Sequence, residues 1–134
     1  MNRRTLLVAL AMLTPVLAPA SSQAQDQSVK RTVLQQAEIS GIAGHESVLY
    51  RADVAPGGAA PKHTHPGDEM VYVAEGSIVI EPVGKEPIPL KAGESIRIPM
   101  GTVHSAHNPD SSARTVLIVF LVTEAGKPLA SAAE

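Results

Sequence analysis

Ten residues in two blocks constrain this chain more than anything else in it: Gly57, His63, His65, Glu69 and Gly76, then Gly93, Pro99, Gly101, His104 and Asn108. Between them they carry three imidazoles and one carboxylate, a full set of protein ligands for one octahedral transition-metal ion. His63 and His65 are two apart, so in an extended strand both leave the same face while Thr64 leaves the other. A short turn through Pro66, Gly67 and Asp68 is expected to bring Glu69 back toward that face. His104 comes from another strand, just past a turn at Pro99-Met100-Gly101. Separate strands that aim ligands at one point call for a small antiparallel barrel.

The first block reads G-x5-H-x-H-x3-E-x6-G and the second G-x5-P-x-G-x2-H-x3-N, with Ser77 to Ala92 as the spacer. In residue type and spacing the pair resembles the cupin superfamily, over residues 57–108. A lone His-x-His would be weak evidence; ten matched positions in two correctly spaced blocks are strong evidence. The resemblance implies an all-β, single-domain fold, the double-stranded β-helix or jelly-roll barrel. It also implies that His63, His65, Glu69 and His104 are metal ligands. The rival explanation, histidines that merely satisfy core hydrogen bonds, does not account for a converging His-His-Glu-His set.

Four protein ligands leave two octahedral positions for water, dioxygen or a bidentate substrate. Nitrogen and oxygen donors without sulfur suit divalent Fe, Mn, Co, Ni, Zn or Cu and do not choose among them. Glu69 is the candidate catalytic residue, as a ligand or as a general base whose pKa the metal sets. Small exported cupins resemble the quercetinase-like group, which makes a metal-dependent dioxygenase on a small oxygenated substrate the leading enzymatic reading. Isomerase or lyase chemistry on a small oxygenated acid is the next. A metal-bearing, non-catalytic periplasmic binding module is the reading from a different class. The chain has no Trp and only Tyr50, Tyr72 and Phe120 as aromatics, which disfavours a sugar-stacking platform.

The N-terminus reads as an export signal. Arg3 and Arg4 form a basic start, Leu6 to Leu17 an apolar core broken by Pro15, and Ser22-Gln23-Ala24 a cleavage site. The apolar stretch is too short to span a bilayer. Residues 1–24 are therefore expected to be removed, which leaves 25–134 as one barrel domain in the periplasm or outside the cell. Arg3 and Arg4 before Thr5-Leu6-Leu7 also resemble a twin-arginine signal. The mature chain would hold nine basic and thirteen acidic residues, a net charge of −4, with no basic run. Nucleic acid is an unsuitable partner for such a surface. The chain has no cysteine, so neither disulfides nor thiolate chemistry enter.

Many short alternating segments with Gly and Pro punctuation predict strands. These include His45 to Val54, Glu69 to Glu75, Ser77 to Glu81, Ser95 to Ile98 and Arg114 to Thr123. Residues 25–32 read as a mobile polar arm and Glu124 to Leu129 as an irregular tail. If Glu69 points inward, so do Val71 and Val73, and an aliphatic floor lies under the metal. Met70, Tyr72 and Ala74 then point outward although they are apolar, and the last strand is apolar on both faces. Such a face calls for cover, by the N-terminal segment or by a second subunit, and a homodimer is the expectation.

Other polar residues have simpler roles. His107 lies three residues past His104, on the opposite face of an extended strand. His45 lies outside both blocks and belongs on the surface. Asn108 suits a turn, Gly57, Gly76, Gly93 and Gly101 suit turns or close approaches, and Arg97 belongs in solvent unless it meets an anion in the cavity.

Overall fold

The computed structural model describes residues 28–134. Ten strands form two five-stranded antiparallel sheets. They are β1 (Val29–Glu38), β2 (His45–Val54), β3 (Ala59–Thr64), β4 (Gly67–Glu75), β5 (Ser77–Pro82), β6 (Ile88–Lys91), β7 (Ser95–Ile98), β8 (His104–His107), β9 (Thr115–Glu124) and β10 (Ser131–Ala132). One sheet runs β1-β2-β9-β4-β7 and the other β10-β3-β8-β5-β6. This is the all-β double-stranded β-helix that the two blocks imply. Among the described residues, no helix is long and apolar enough to cross a membrane. The export signal, its cleavage site and the arginine pair lie outside the described residues.

Strict alternation builds the core. In β2, Glu46, Val48, Tyr50, Ala52 and Val54 are buried and their neighbours are not. In β4, Glu69, Val71 and Val73 are buried while Met70 and Tyr72 are 44% and 48% exposed. Leu117, Val119 and Leu121 of β9 sit opposite both sets, Val119 facing Tyr50 on one side and Val71 on the other. Ile78 and Ile80 come from the second sheet. The inner faces therefore close on one aliphatic core with the site at one end of it.

Glycine is required at Gly67 by close approach. A Cβ there would lie 1.7 Å from the Val122 carbonyl oxygen, so only a hydrogen lets β4 reach β9 at this point. Gly76, between β4 and β5, has φ +76, and a Cβ would meet Thr115 Oγ1 at 2.8 Å. Both positions fix where β4 starts and stops, and so where Glu69 stands.

The structure corrects two sequence expectations. Residues 25–32 are not wholly a mobile arm, because β1 begins at Val29 and pairs with β2 from Val29↔Val54 onward. Polar residues dominate this edge strand, which hides its strand character from composition. The turn before Glu69 is shorter than expected: Gly67 and Asp68 already belong to β4, and only His65 and Pro66 lie between strands. Ala125 to Leu129 form no strand, as expected, and beyond them Ser131 and Ala132 pair with Thr64 and His63. Of the two covers considered for the outer face, β1 is not one: it joins the sheet edge beside β2, and Met70, Tyr72 and Phe120 stay exposed.

Candidate metal centre

Each sheet brings different chemistry to the site. The second sheet carries the histidines: His63 near the end of β3, His65 just after it, and His104 at the start of β8. His63 and His104 are directly opposed across the β3–β8 ladder, beyond a register shift between Ala60 and His63. Their ring centres lie 4.3 Å apart. The first sheet carries Glu69 on β4 and Tyr50 on β2. All four expected residues are buried, Glu69 and His65 to 4% exposure and His104 to 2%.

One ligand atom from each of His63, His65 and His104 falls within 4.8 Å of the others. Glu69 Oε2 lies 3.2 Å from His65 Nε2 and 3.5 Å from His104 Nε2. The outer nitrogen of every ring is already engaged by a backbone carbonyl. His63 Nδ1 meets Pro61 O at 2.7 Å, His65 Nδ1 meets Leu129 O at 2.6 Å, and His104 Nδ1 meets Thr102 O at 3.0 Å. A carbonyl only accepts, so each Nδ1 carries the proton and donates it, and each Nε2 keeps a bare lone pair. Such anchoring contacts hold imidazole ligands in one tautomer and one orientation.

Electrostatics agree with that assignment. Burial lowers the pKa of His63 and of His65 to about 4, with repulsion from neighbouring imidazoles adding to it, so both rings are neutral at pH 7. Burial raises the pKa of Glu69, opposed by His104, by the Tyr50 hydrogen bond and by Arg31. Tyr50 donates to Glu69 Oε1 at 3.0 Å. Burial first, then the Glu69 charge, keeps the phenol protonated and therefore a donor.

These contacts leave two buried acceptors facing each other. His65 Nε2 and Glu69 Oε2 have no hydrogen-bond partner, and at 3.2 Å they are two acceptors face to face when the carboxylate is ionised. An unsatisfied buried polar atom costs on the order of 1–3 kcal/mol, more when charged. A divalent cation satisfies both at once, and nitrogen and oxygen donors of this kind suit a transition metal. The three buried histidines can hold such an ion, and Glu69 is placed to join them.

Beneath the site lies a narrow cavity of about 40 Å³, walled by aliphatic side chains that include Val71, Ile80, Ile98 and Val119. The expected aliphatic floor is present in Val71, with Val73 buried in the core. Beyond the ligand residues, only Tyr50 and Arg31 add side-chain polarity to the lining.

The remaining candidates sit as follows. His107 is on the outer side, 40% exposed and 3.5 Å from Glu81. Arg97 faces solvent and pairs with Asp68 at 2.5 Å, outside the cavity. His45 Nδ1 meets the Ala43 carbonyl at the surface. Asn108 is 2% exposed; its amide donates to Ala55 O and Ala113 O and its oxygen accepts from Asp110 N, so it ties a turn together. The sequence reading missed Tyr50 as the partner of Glu69, although alternation along β2 places it inward. It also missed Arg31 and the Leu129 carbonyl. A backbone carbonyl has no sequence signal of its own.

A family model described as a cupin domain matches residues 50–120. Among similar proteins, the auxin-binding protein ABP19b of Prunus persica is 38% identical over 73 residues, covering 51% of this chain but 35% of that protein. The chain thus spans about a third of the length of that relative. Among solved structures, a protein with a double-stranded β-helix domain from Klebsiella pneumoniae has a TM-score of 0.63 at 22% identity, covering 88% of this chain and 90% of that one. Recombinant oxalate oxidase in complex with glycolate also has a TM-score of 0.63 at 22% identity, with 90% and 62% covered. At those identities the structural likeness speaks for the fold alone. The family match runs from the middle of β2 into β9 and takes in all three histidines, Glu69 and Tyr50: the chain belongs to the cupin family.

Proposed function

We propose that this cupin holds one divalent transition metal on His63, His65, Glu69 and His104 and acts as a dioxygenase on a small oxygenated substrate. The observation that carries the metal assignment is the pair of orphaned acceptors, His65 Nε2 and Glu69 Oε2, in a pocket where every Nδ1 is already committed. The bound ion supplies Lewis acidity and, if redox-active, access to dioxygen. The chain's own residues do the rest. Carbonyl contacts orient the imidazoles, Tyr50 holds one oxygen of Glu69 and leaves the other toward the histidines, and the aliphatic walls exclude water. Glu69 can thereby take up a proton from a substrate at Oε2.

The test is oxygen uptake by protein loaded in turn with iron, manganese, nickel, cobalt or copper, offered a flavonol or a small diketone. Glu69→Gln should retain most metal and lose most turnover, since an amide accepts no proton. If no redox metal supports uptake across that panel, the oxygenase reading fails. Isomerase or lyase activity on a small oxygenated acid would then be the enzymatic alternative. The thin polar lining supports another reading, a binding module without turnover. Ligand-induced thermal stabilisation without product would favour it.

The proposed setting is the periplasm or the cell exterior, on the strength of the N-terminal signal pattern. Mass spectrometry of exported protein should find Gln25 as the first residue. The proposed assembly is a homodimer through the outer face of the first sheet, where Leu49, Met70 and Phe120 neighbour one another across three strands. Phe120→Glu would place an unpaired charge in that interface and should shift the elution mass from dimer to monomer. A wild-type monomer at micromolar concentration rules the dimer out.

A further inference from the structure

The described residues include four arginines, and three of them have acidic partners. Arg51 pairs with Asp53, Arg97 with Asp68 and Arg114 with Glu75. Arg31 has no carboxylate within ion-pair distance among the described residues. Its position is equally distinct. On β1, Val29, Arg31 and Val33 are paired with Val54, Ala52 and Tyr50, all inward-facing and buried, so Arg31 stands on the inner side of its strand.

The side chain lines the metal-site cavity, and it also lines an adjoining open hollow between β1, β3 and the chain end at Ala130–Ala132. Its charge is felt at Tyr50, His63, His65 and Glu69, in each case opposing protonation. Lys62 lines only the outer hollow, and among the described residues no carboxylate lines that hollow. A molecule entering toward the histidines therefore passes a guanidinium that no carboxylate of the described residues ion-pairs.

An arginine on a surface strand is ordinarily a solvated one. Two features set this one apart: its inward register, which brings it to the Tyr50 hydroxyl, and the lack of an acidic partner among the described residues beside a cavity otherwise walled by aliphatic groups. A guanidinium there offers a planar fork of donors that matches a carboxylate in two bonds. A metal ion with three neutral imidazoles and one carboxylate carries a net positive charge, so the field of the site and that of Arg31 add.

We propose that Arg31 is the anion-docking residue of this site and selects small substrates that carry a carboxylate in addition to the oxygens that chelate the metal. The proposal rests on the metal-site reading. It does not depend on whether the bound molecule is turned over.

The experiment compares two ligands on cobalt(II)-loaded protein at low ionic strength. L-malate and 2-hydroxybutanoate chelate through the same hydroxy-acid end and differ in carrying a second carboxylate or a methyl. Metal content is measured first, chelation is read from the visible cobalt spectrum, and affinity by calorimetry. Wild type should prefer malate by about tenfold or more, the range expected of hydrogen bonds to charged groups. Arg31→Met should erase that preference while keeping cobalt stoichiometry and 2-hydroxybutanoate affinity within about threefold, and Arg31→Lys should restore part of it. Lys62→Met should leave most of the preference intact. Bound cobalt with no preference in wild type, or a preference that survives Arg31→Met, overturns the docking role. Equal losses in Arg31→Met and Lys62→Met overturn it too, since a diffuse field would then suffice. Wild type that binds no cobalt overturns the metal-site reading, and this proposal with it.

Discussion

Residues 57–108 supply all four candidate ligands, whereas β1 and the segment from Leu129 to Ala132 supply none, although β1 borders the metal-site cavity and Ala130–Ala132 the hollow beside it. The two regions are built differently. The motif strands bury alternate residues, while β1 is exposed from Lys30 to its end and β10 is two residues long. The motif region is therefore held by core packing, and the flanks by ladder hydrogen bonds on sheet edges. The difference separates two tasks. Where a metal can sit is determined inside the packed region, by side chains that cannot move without opening the core. What a substrate meets on its way in, and how firmly His65 is oriented, depends on exposed edge strands outside that core.

The largest expected effect lies in the motif region. His65→Ala removes one of the three clustered imidazoles and should abolish stoichiometric metal binding, as read by elemental analysis after dialysis. Survival of tight binding would show that His63, His104 and Glu69 suffice. A stability test of the same region is Gly67→Ala, whose methyl collides with the Val122 carbonyl. It should destabilise the fold by about 1–3 kcal/mol, by analogy with overpacking. Denaturant midpoints that match wild type would mean that β4 can shift off β9 without penalty.

A smaller effect should come from the flank. Truncation after Pro128 removes the carbonyl that accepts the His65 Nδ1 proton and the strand that pairs with His63 and Thr64. Metal affinity should fall about 10–100-fold, the usual consequence of losing a contact that orients a ligand. The circular dichroism of a folded barrel should persist. If affinity is unchanged, the chain end does not orient the site, and the contrast between the two regions sharpens to substrate access alone.

The metal-free protein should also lose stability as pH falls. His63 and His65 have folded pKa values of about 4 against ordinary values near 6.5, so the unfolded chain binds more protons between those limits. Stability is fully present above about pH 6.5 and declines as pH drops toward 4. Glu69, with its raised pKa, opposes the trend in part. Urea midpoints across that window check the direction, and a flat profile contradicts burial as the cause. The smallest effect belongs to His107→Ala, which should leave metal affinity within about twofold because the ring lies outside beside Glu81. A loss comparable with His65→Ala would break the assignment of faces on β8.

Much of this was legible in the residues alone. His63, His65, Glu69 and His104 are marked by their spacing, and the period of two along β4 places Glu69, Val71 and Val73 on one face and Met70 and Tyr72 on the other. These features are local, because a strand's alternation and a turn's glycine act within a few residues. Tyr50 lay on the boundary of what can be read. Alternation puts it inside, but its partnership with Glu69 spans nineteen residues and two strands.

The double-stranded β-helix, the candidate ligands and the inward set of β4 were determined by sequence, since strand periodicity and motif spacing are properties of short stretches of chain. Tertiary structure decided that β1 is a strand and not an arm, that Arg31 and not Arg97 turns toward the cavity, and that the Leu129 carbonyl reaches a ring sixty-four residues away. Each of these depends on which edge meets which in space. An edge strand of polar residues and a backbone oxygen carry no pattern that could announce such a meeting, because the partner that gives them their role lies elsewhere in the chain.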